Sequence, residues 1–332
     1  MRSRLASLVK LAVSACLLGV LLRRVSLREA AAALAAANWP LLGLALAIYV
    51  GTVPLRALRW RALVRAKGIA VPLRRLVVLY FVGGFFNIML PTGVGGDAVR
   101  AYELAHDTRE AELAVGTVLV DRALGLLVLL LLAALALPFW SGPFDPWVAW
   151  LVGALALASL GGMTVLLAGR PLEALYRRLP QRLGAFIDRP VLRRLHLSLS
   201  GYPGRSLAEA MAVSVLFNLL LVAVNQLIGL GLGVHVPTGQ YVICVSLSAF
   251  ASTLPISLGG LGVRESAFAE LFGQVGVPAA LALSMSLTFY LMNVVSGLIG
   301  GLLYAWEGLR GSAGRARAGD LPEGRAGARE GR

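Results

Sequence analysis

Six apolar segments, each long enough to cross a membrane as one helix, constrain this chain more than any other feature of its sequence. A helix of about 20 apolar residues covers the roughly 30 Å of a bilayer's hydrocarbon core. The segments are Leu5–Leu22, Trp39–Leu58, Leu113–Leu137, Trp147–Ala168, Leu207–Leu232 and Ala279–Trp306. Only 14% of the residues are charged and 58% are hydrophobic, whereas a soluble domain usually carries about 25% charged residues. The sequence therefore predicts an all-α polytopic membrane protein.

The first apolar segment also has features of a secretory signal, because basic residues precede it. The stretch Val13–Cys16 is similar to a lipoprotein cleavage site. However, Lys10 leaves too few apolar residues before that site for the apolar region of a signal. We therefore expect Leu5–Leu22 to be an uncleaved first helix, with a cleaved signal as the alternative.

Basic residues are distributed unevenly between the connecting loops. Arg56–Arg75 holds seven and Arg170–Arg205 holds eight, whereas Pro138–Pro146 and Gly233–Gly239 hold none. By the positive-inside rule the first two loops and the arginine-rich tail are cytoplasmic, and the last two loops are external. Loop 23–38 must then be external, although it contains three arginines. This distribution accounts for the net charge of +14 without nucleic acid, and it predicts a cell-membrane protein with both termini in the cytoplasm.

Two shorter apolar segments, Leu76–Pro91 and Gln240–Pro255, each end in a proline that a glycine-rich turn follows. Each lies, together with one full crossing, between loops on opposite sides of the membrane. Each must therefore cross the membrane twice or not at all. We predict two re-entrant hairpins or paired half-helices, one entering from the cytoplasm and the other from outside.

The two breaks have similar sequences. Leu90–Arg100 aligns without gaps to Leu254–Arg264, with leucine, proline, a glycine pair, valine and arginine at matching positions. This match predicts an internal duplication of the inverted type, which is common in secondary transporters. The expected plan is a transmembrane domain, two repeat halves within it and a disordered basic tail. The transmembrane domain covers residues 1–308. The repeat halves cover about residues 39–137 and 207–306, and the tail covers residues 309–332.

The breaks predict a binding site, because non-helical backbone at membrane depth must face protein or a wet cavity. Pro91 and Pro255 would fix the breaks. The pairs Gly95–Gly96 and Gly259–Gly260 would permit a tight turn and the close approach of a ligand. A helix that starts after each break would direct free N–H groups at the cavity, an arrangement that suits phosphate or carboxylate.

Charged residues follow each break. Arg100 and Arg264 lie about one helical turn further on and could clamp the same anion. Glu265 is either a counter-charge for Arg264 or a group that titrates during transport. Asp121 and Arg122 lie inside an apolar span, where charges normally pair and face the interior. They form either a structural pair or part of the binding and gating machinery.

The helix after the first break has a charged face. Its members recur at helical spacing: Asp97, Arg100, Glu103, Asp107 and Glu110. The face is either a solvated surface with ion pairs or a polar wall of the cavity, with Asp97 and Arg100 nearest the site.

Catalytic and metal-binding motifs are not evident. Cys16 and Cys244 lie in separate apolar runs, and the three histidines are scattered. Gly93–Ala98 fits a dinucleotide-binding pattern, but no βαβ unit surrounds it. We therefore predict no cofactor, no metal and no enzymatic activity.

The sequence around both breaks resembles a known family. The resemblance rests on Phe85–Pro91 with Gly95-Gly96-Asp97 and Arg100, on Leu254–Glu265, and on the arginine of Val120-Asp121-Arg122. The chain is similar over about residues 5–308 to the membrane domain of lysylphosphatidylglycerol synthetases and flippases. This resemblance implies a flippase-type fold with re-entrant elements and a lipid cargo such as aminoacylated phosphatidylglycerol. The soluble aminoacyl-transfer domain of the full-length synthetases is missing, so we do not expect this chain to make that lipid.

The expected function is thus movement of an anionic phospholipid or lipid-linked molecule across the membrane. One alternative is a membrane-embedded transferase that modifies lipids, which would need a nucleophile or base in the cavity. Another is a membrane subunit that binds partners without transporting anything. The cargo, the direction of movement, the energy source and the oligomeric state stay open, a homodimer being one option.

Overall fold

A computed structural model describes residues 32–90, 94–140, 144–167, 198–254, 257 and 259–319 of the chain. These residues are helical or lie in turns and connections, without a strand among them. The principal helices are α1 (Trp39–Ala66), α2 (Leu73–Met89), α3 (Gly95–Thr108), α4 (Ala111–Trp140), α5 (Pro146–Leu167), α6 (Gly204–Gly231), α7 (Thr238–Thr253), α8 (Val263–Gln274) and α9 (Ala279–Gly319).

Five of the described helices are long and apolar enough to cross a membrane: α1, α4, α5, α6 and the Ala279–Glu307 part of α9. They coincide with five of the six predicted spans, and Leu5–Leu22 lies outside the described residues. Some of their side chains are highly exposed, among them Trp150 at 80% and Leu157 at 71% on α5. Large exposed apolar surfaces of this kind suit a lipid solvent. The prediction of an all-helical membrane protein is confirmed.

Helix α1 is longer than the sequence suggested. It ends at Ala66 instead of Leu58, so the expectation that Arg56–Arg75 is a loop is wrong for its first half. Arginine is a good helix former, and the chain meets no glycine after Leu58 until Gly68, which has a φ of 77°. Four arginines therefore belong to the helix and require partners there.

Each break separates two helices. Helix α2 ends at Met89 and α3 begins at Gly95, while α7 ends at Thr253 and α8 begins at Val263. Pro91 and Pro255 lie outside the described residues. In each case the helix before the break packs against the helix after it. We refer to these units as the first break pair (α2 and α3) and the second break pair (α7 and α8).

The helix packing has an internal regularity. The most extensive contact joins α1 to α6. Most of the other contacts occur in the first half and again between the corresponding helices of the second half. Each contact and its counterpart are: α2–α9 and α7–α4; α2–α3 and α7–α8; α3–α4 and α8–α9; α1–α2 and α6–α7; α1–α4 and α6–α9; α4–α6 and α9–α1. Helix α5 packs against α4. Exchanging α1 with α6, α2 with α7, α3 with α8 and α4 with α9 returns the same set, apart from the contact that α5 makes with α4.

Glycines allow α2 and α9 to approach closely. A Cβ on Gly300 would lie 1.9 Å from the carbonyl oxygen of Phe81, and one on Gly297 would lie 2.2 Å from the side chain of Ile88. Small residues commonly permit such close helix contacts in membranes, where packing drives helix association. This contact holds the first break pair against the last span.

Helix α9 continues to Gly319. The segment 309–332 was expected to be a disordered tail, and its first part is instead helical. Alanine and arginine, which are frequent here, both favour helix. Residues 320–332 lie outside the described part of the chain.

Candidate functional site

A cavity of about 370 Å³ lies between the two break pairs, with α1 and α9 completing its wall. Its size falls within the range of about 300–1,000 Å³ that is usual for ligand sites. The polar side chains of its lining are Tyr49, Arg56, Tyr80, Asn87, Asp97, Arg100, Arg264, Tyr290, Asn293 and Ser296. Gly259 also lines it. The two breaks, distant in sequence, thus contribute to one cavity.

Arg100 reaches this cavity from α3 but is already paired with carboxylates. Its guanidinium donates to Asp97 Oδ1 at 3.2 Å and to Asp121 Oδ2 at 3.1 Å. It also lies against the ring of Tyr80, 3.6 Å from the ring centre, and against that of Trp60. Its Nε is buried without a hydrogen-bond partner. The side chain is therefore rigidly held, and it shares both of its carboxylates with other arginines.

Asp121 is the more deeply buried of the two carboxylates that pair with Arg100, with 1% of its surface exposed. It accepts a hydrogen bond from Arg59 Nε at 2.7 Å and another from the hydroxyl of Tyr80. Together with Arg100, these partners tie α1, α2 and α3 to α4. A buried charge that is satisfied in this way is costly to disturb. The geometry supports a structural role for Asp121.

Arg122, its neighbour, pairs with Asp97 from the other side. Asp97 therefore bridges two arginines, Arg100 within α3 and Arg122 on α4. Asp121 pairs with Arg59 and Arg100, whereas Arg122 pairs with Asp97.

The second break pair has its own ion pair. Arg264 pairs with its neighbour Glu265 and donates from Nε to Ser286 Oγ at 3.1 Å. Its guanidinium lies 4.8 Å from the ring centre of Tyr290. Glu265 also accepts a hydrogen bond from the backbone N–H of Gly262 at 2.7 Å. Of the two sequence hypotheses for Glu265, the geometry favours a counter-charge.

The two glycine pairs have different roles. Gly259 and Gly260 have φ values of 58° and 80°, so they form the tight turn that the sequence predicted. Gly95 and Gly96 instead lie in the first turn of α3 and are buried. A Cβ on Gly96 would lie 2.0 Å from the carbonyl oxygen of Gly83 on α2. This glycine permits the approach of two helices, in contrast to the expected approach of a ligand.

The N-termini of α3 and α8 are partly capped by the protein itself. The N–H of Gly96 donates to Asn87 Oδ1 at 2.8 Å, and the N–H of Gly262 donates to Glu265. Fewer backbone donors than expected are therefore available to an anion at either break.

Arg56 on α1 is a lining residue that the sequence did not single out. No carboxylate lies within ion-pairing distance of it among the described residues. Its guanidinium lies between the rings of Tyr80 and Phe217, 5.5 and 5.4 Å from their centres. Its Nε is buried without a hydrogen-bond partner. Arg56 is thus a cation of the cavity whose charge is not compensated by an acidic side chain.

The charged face of α3 divides into two parts. Asp97 and Arg100 belong to the cavity, as one of the two hypotheses held. Glu103 and Asp107 instead pair with Arg75 on α2, at 2.9 and 2.7 Å, and Glu307 of α9 pairs with the same arginine. This second cluster joins three helices at a distance from the cavity.

Comparison with known proteins identifies the family of this chain. The family described as lysylphosphatidylglycerol synthase TM region matches residues 7–301. The chain belongs to this family. A relative named UPF0104 membrane protein, from Methanothermobacter thermautotrophicus, is 23% identical over 74% of this chain and 78% of its own length. The resemblance inferred from the two breaks is therefore confirmed.

Several residues of this family member's cavity were missed in the sequence. Arg56 and Arg59 were counted as loop charges, although their spacing of three places them on adjacent turns of the helix that begins at Trp39. Continuing that helix to Gly68 would have identified them. Tyr49, Tyr80 and Tyr290 gave no signal, because aromatic residues are common in membrane helices. Asn293 on α9 accepts a hydrogen bond from the hydroxyl of Tyr49 on α1 and also lines the cavity.

No group of three or more His, Cys, Asp and Glu side chains in the described residues is arranged to hold a metal ion. The chemistry that the described cavity offers is that of guanidinium groups, phenols and amides. These groups bind oxyanions and hydroxyls.

Proposed function

We propose that this protein moves an anionic phospholipid or lipid-linked molecule across the cell membrane. The phosphate of the head group binds in the cavity between the break pairs, while the hydrocarbon chains stay in an apolar environment. We propose transport, without chemical change to the lipid, as the activity of this chain.

The observation that carries the proposal is the charge of the cavity and its surroundings. Arginines exceed carboxylates by two in this group, which comprises Arg56, Arg59, Arg100, Arg122 and Arg264 with Asp97, Asp121 and Glu265. Because most of these charges are paired, the excess is concentrated at few positions. Arg56 and Arg100 both line the cavity, and of these two only Arg56 has no carboxylate within ion-pairing distance among the described residues. An uncompensated guanidinium in an apolar surrounding is best stabilised by an anion.

The packing supports a duplicated transporter architecture. Exchange of α1–α4 with α6–α9 preserves the contacts between the helices, as a two-fold relation between the halves requires. The uneven distribution of basic residues favours opposite orientations of the two halves. We propose that the break pairs are re-entrant and related as an inverted repeat, with both termini in the cytoplasm. Rocking of one half against the other would then expose the cavity to each side in turn.

The paired arginines have a positioning role in this scheme. Arg100 and Arg264 belong to opposite halves, and each is fixed by carboxylates and by a tyrosine ring. Both side chains line the cavity, so each can face the head group while it keeps its ion pair. The full charge for binding comes from Arg56, which lies on α1.

The test is reconstitution of the purified protein into vesicles of phosphatidylcholine and phosphatidylglycerol that contain a trace of fluorescently labelled phosphatidylglycerol. Chemical quenching from outside measures the fraction of label in each leaflet. We expect the protein to accelerate the exchange of label between leaflets, with no change in the mass of the recovered lipids. A changed lipid mass would favour the transferase, and unaccelerated exchange with an intact fold would contradict the proposal.

A further inference from the structure

A second hollow lies outside the cavity, in the groove between α3 and α4. Its volume is about 520 Å³. On α3 it is lined by Ala98, Ala101 and Ala105, which recur at helical spacing. On α4 it is lined by Val115, Val118 and Leu119. Alanine side chains are short, so they leave a trough along α3 that the larger side chains of α4 border.

Charged residues occur at one end of this groove. Asp97 and Arg122, which pair with each other, are the charged members of its described lining. The other end, at Ala105 and Ala111, lies beside the short connection from α3 to α4. Between Asp97 and Ala105 the helix rises by about 12 Å. The groove is therefore an apolar trough with a polar entrance.

The polar end of the groove adjoins the cavity. Asp97 lines both hollows. Its carboxylate binds Arg100 of the cavity on one side and Arg122 of the groove on the other. The basic cavity and the apolar groove therefore adjoin each other. A molecule with a charged head group and an apolar chain is complementary to this pair of surfaces.

The groove also opens towards the membrane. Its rim residues Tyr102 and Leu119 are 69% and 45% exposed, and α4 is one of the spanning helices. A surface of this kind at membrane depth is in contact with hydrocarbon. The expected occupant is therefore a lipid chain.

We infer that the α3–α4 groove binds one hydrocarbon chain of the transported lipid, while the head group occupies the cavity. The Asp97–Arg122 pair stands at the junction that the lipid crosses when it enters from the side. This inference rests on the proposed function for the identity of the lipid, but the groove itself can be tested separately.

The test uses phosphatidylglycerol with a photoreactive diazirine in one acyl chain, in vesicles that contain the protein, with mass spectrometric mapping of the labelled residues. We expect groove residues such as Val115 and Leu119 to be labelled several-fold more than Leu157 and Leu160, which are exposed on α5. Unlabelled phosphatidylglycerol should reduce the groove labelling more than phosphatidylcholine does.

Two variants fill the groove. Ala98 is exposed and Ala105 is half-buried, so Ala98→Leu and Ala105→Leu both add volume in the groove. We expect each to reduce groove labelling several-fold. The matched control, Ala158→Leu on the exposed face of α5, should leave it unchanged. Thermal unfolding and gel-filtration elution check that all three variants fold.

The outcomes separate the groove from the transport proposal. Equal labelling of the groove and α5, or labelling that neither filling variant reduces, overturns the inference even if lipid moves between leaflets. Selective groove labelling without lipid movement supports the chain site and contradicts the proposed transport. Competition by phosphatidylcholine equal to that by phosphatidylglycerol identifies bulk membrane lipid, and this also overturns the inference.

Discussion

Asp121 on α4 accepts a hydrogen bond from Arg59 on α1 at 2.7 Å, although the two residues are 62 positions apart. Both side chains are almost completely buried, at 1% and 6% exposure. The hydroxyl of Tyr80 and the guanidinium of Arg100 complete the shell around the carboxylate. Helices α1, α2, α3 and α4 therefore meet at the carboxylate of Asp121.

We predict that Asp121→Asn destabilises the protein strongly. Removal of one partner from a buried ion pair leaves the other charge uncompensated, which typically costs about 3–5 kcal/mol. Asp107→Asn is the matched control, because Asp107 pairs with Arg75 at a more exposed site where such pairs contribute about 0–1 kcal/mol. Thermal unfolding in detergent measures both. Equal effects of the two substitutions would mean that Asp121 has no special structural role.

We predict that Gly96→Ala separates α2 from α3. The new Cβ would lie 2.0 Å from the backbone oxygen of Gly83, and backbone cannot move aside cheaply in a packed interior. Gly153→Ala on α5 is the control, because nothing lies within 4 Å of its Cβ and alanine favours helix by about 1 kcal/mol. The thermal midpoint should fall for the first variant and rise or stay constant for the second. A fall of the same size in both would contradict the close contact.

The spans and the breaks could be predicted because both follow from local sequence. Spanning length depends only on the bilayer, and a proline with a glycine pair interrupts a helix wherever it occurs. The similarity of the two breaks also predicted that Arg100 and Arg264 would occur at equivalent positions. Both arginines line one cavity.

The charge pairing could not be predicted, because it depends on which helices pack together. Arg56 and Arg59 had a sufficient explanation as positive-inside loop charges. Only the contact of α1 with α4 distinguishes Arg59, paired with Asp121, from Arg56, which has no carboxylate beside it. The close approach of Gly83 to Gly96 likewise depends on the packing of α2 against α3, whereas Gly260 has a turn conformation with a φ of 80°.

Opposite orientation of the two halves predicts the sidedness of their loops. In a variant without Cys16 and Cys244, single cysteines at His235 and Glu270 should react with a membrane-impermeant maleimide on intact cells. A single cysteine at Glu110 should react only after the membrane is permeabilised. All three positions are exposed, so access depends on the side of the membrane. Labelling of all three from the same side would contradict the inverted repeat.

The most direct test of the account compares Arg56→Gln with Arg61→Gln for binding of phosphatidylglycerol, measured by native mass spectrometry of the detergent-solubilised protein. Both arginines lie on α1 and both have a buried Nε without a hydrogen-bond partner, but only Arg56 lines the cavity. A charge-assisted hydrogen bond contributes about 1.5–3 kcal/mol, so we predict that Arg56→Gln weakens binding about tenfold or more. Arg61→Gln should change it less than about twofold, since no bound charge is lost. Unchanged binding in a folded Arg56→Gln variant, or an equal loss in both variants, would contradict the claim that Arg56 holds the head group.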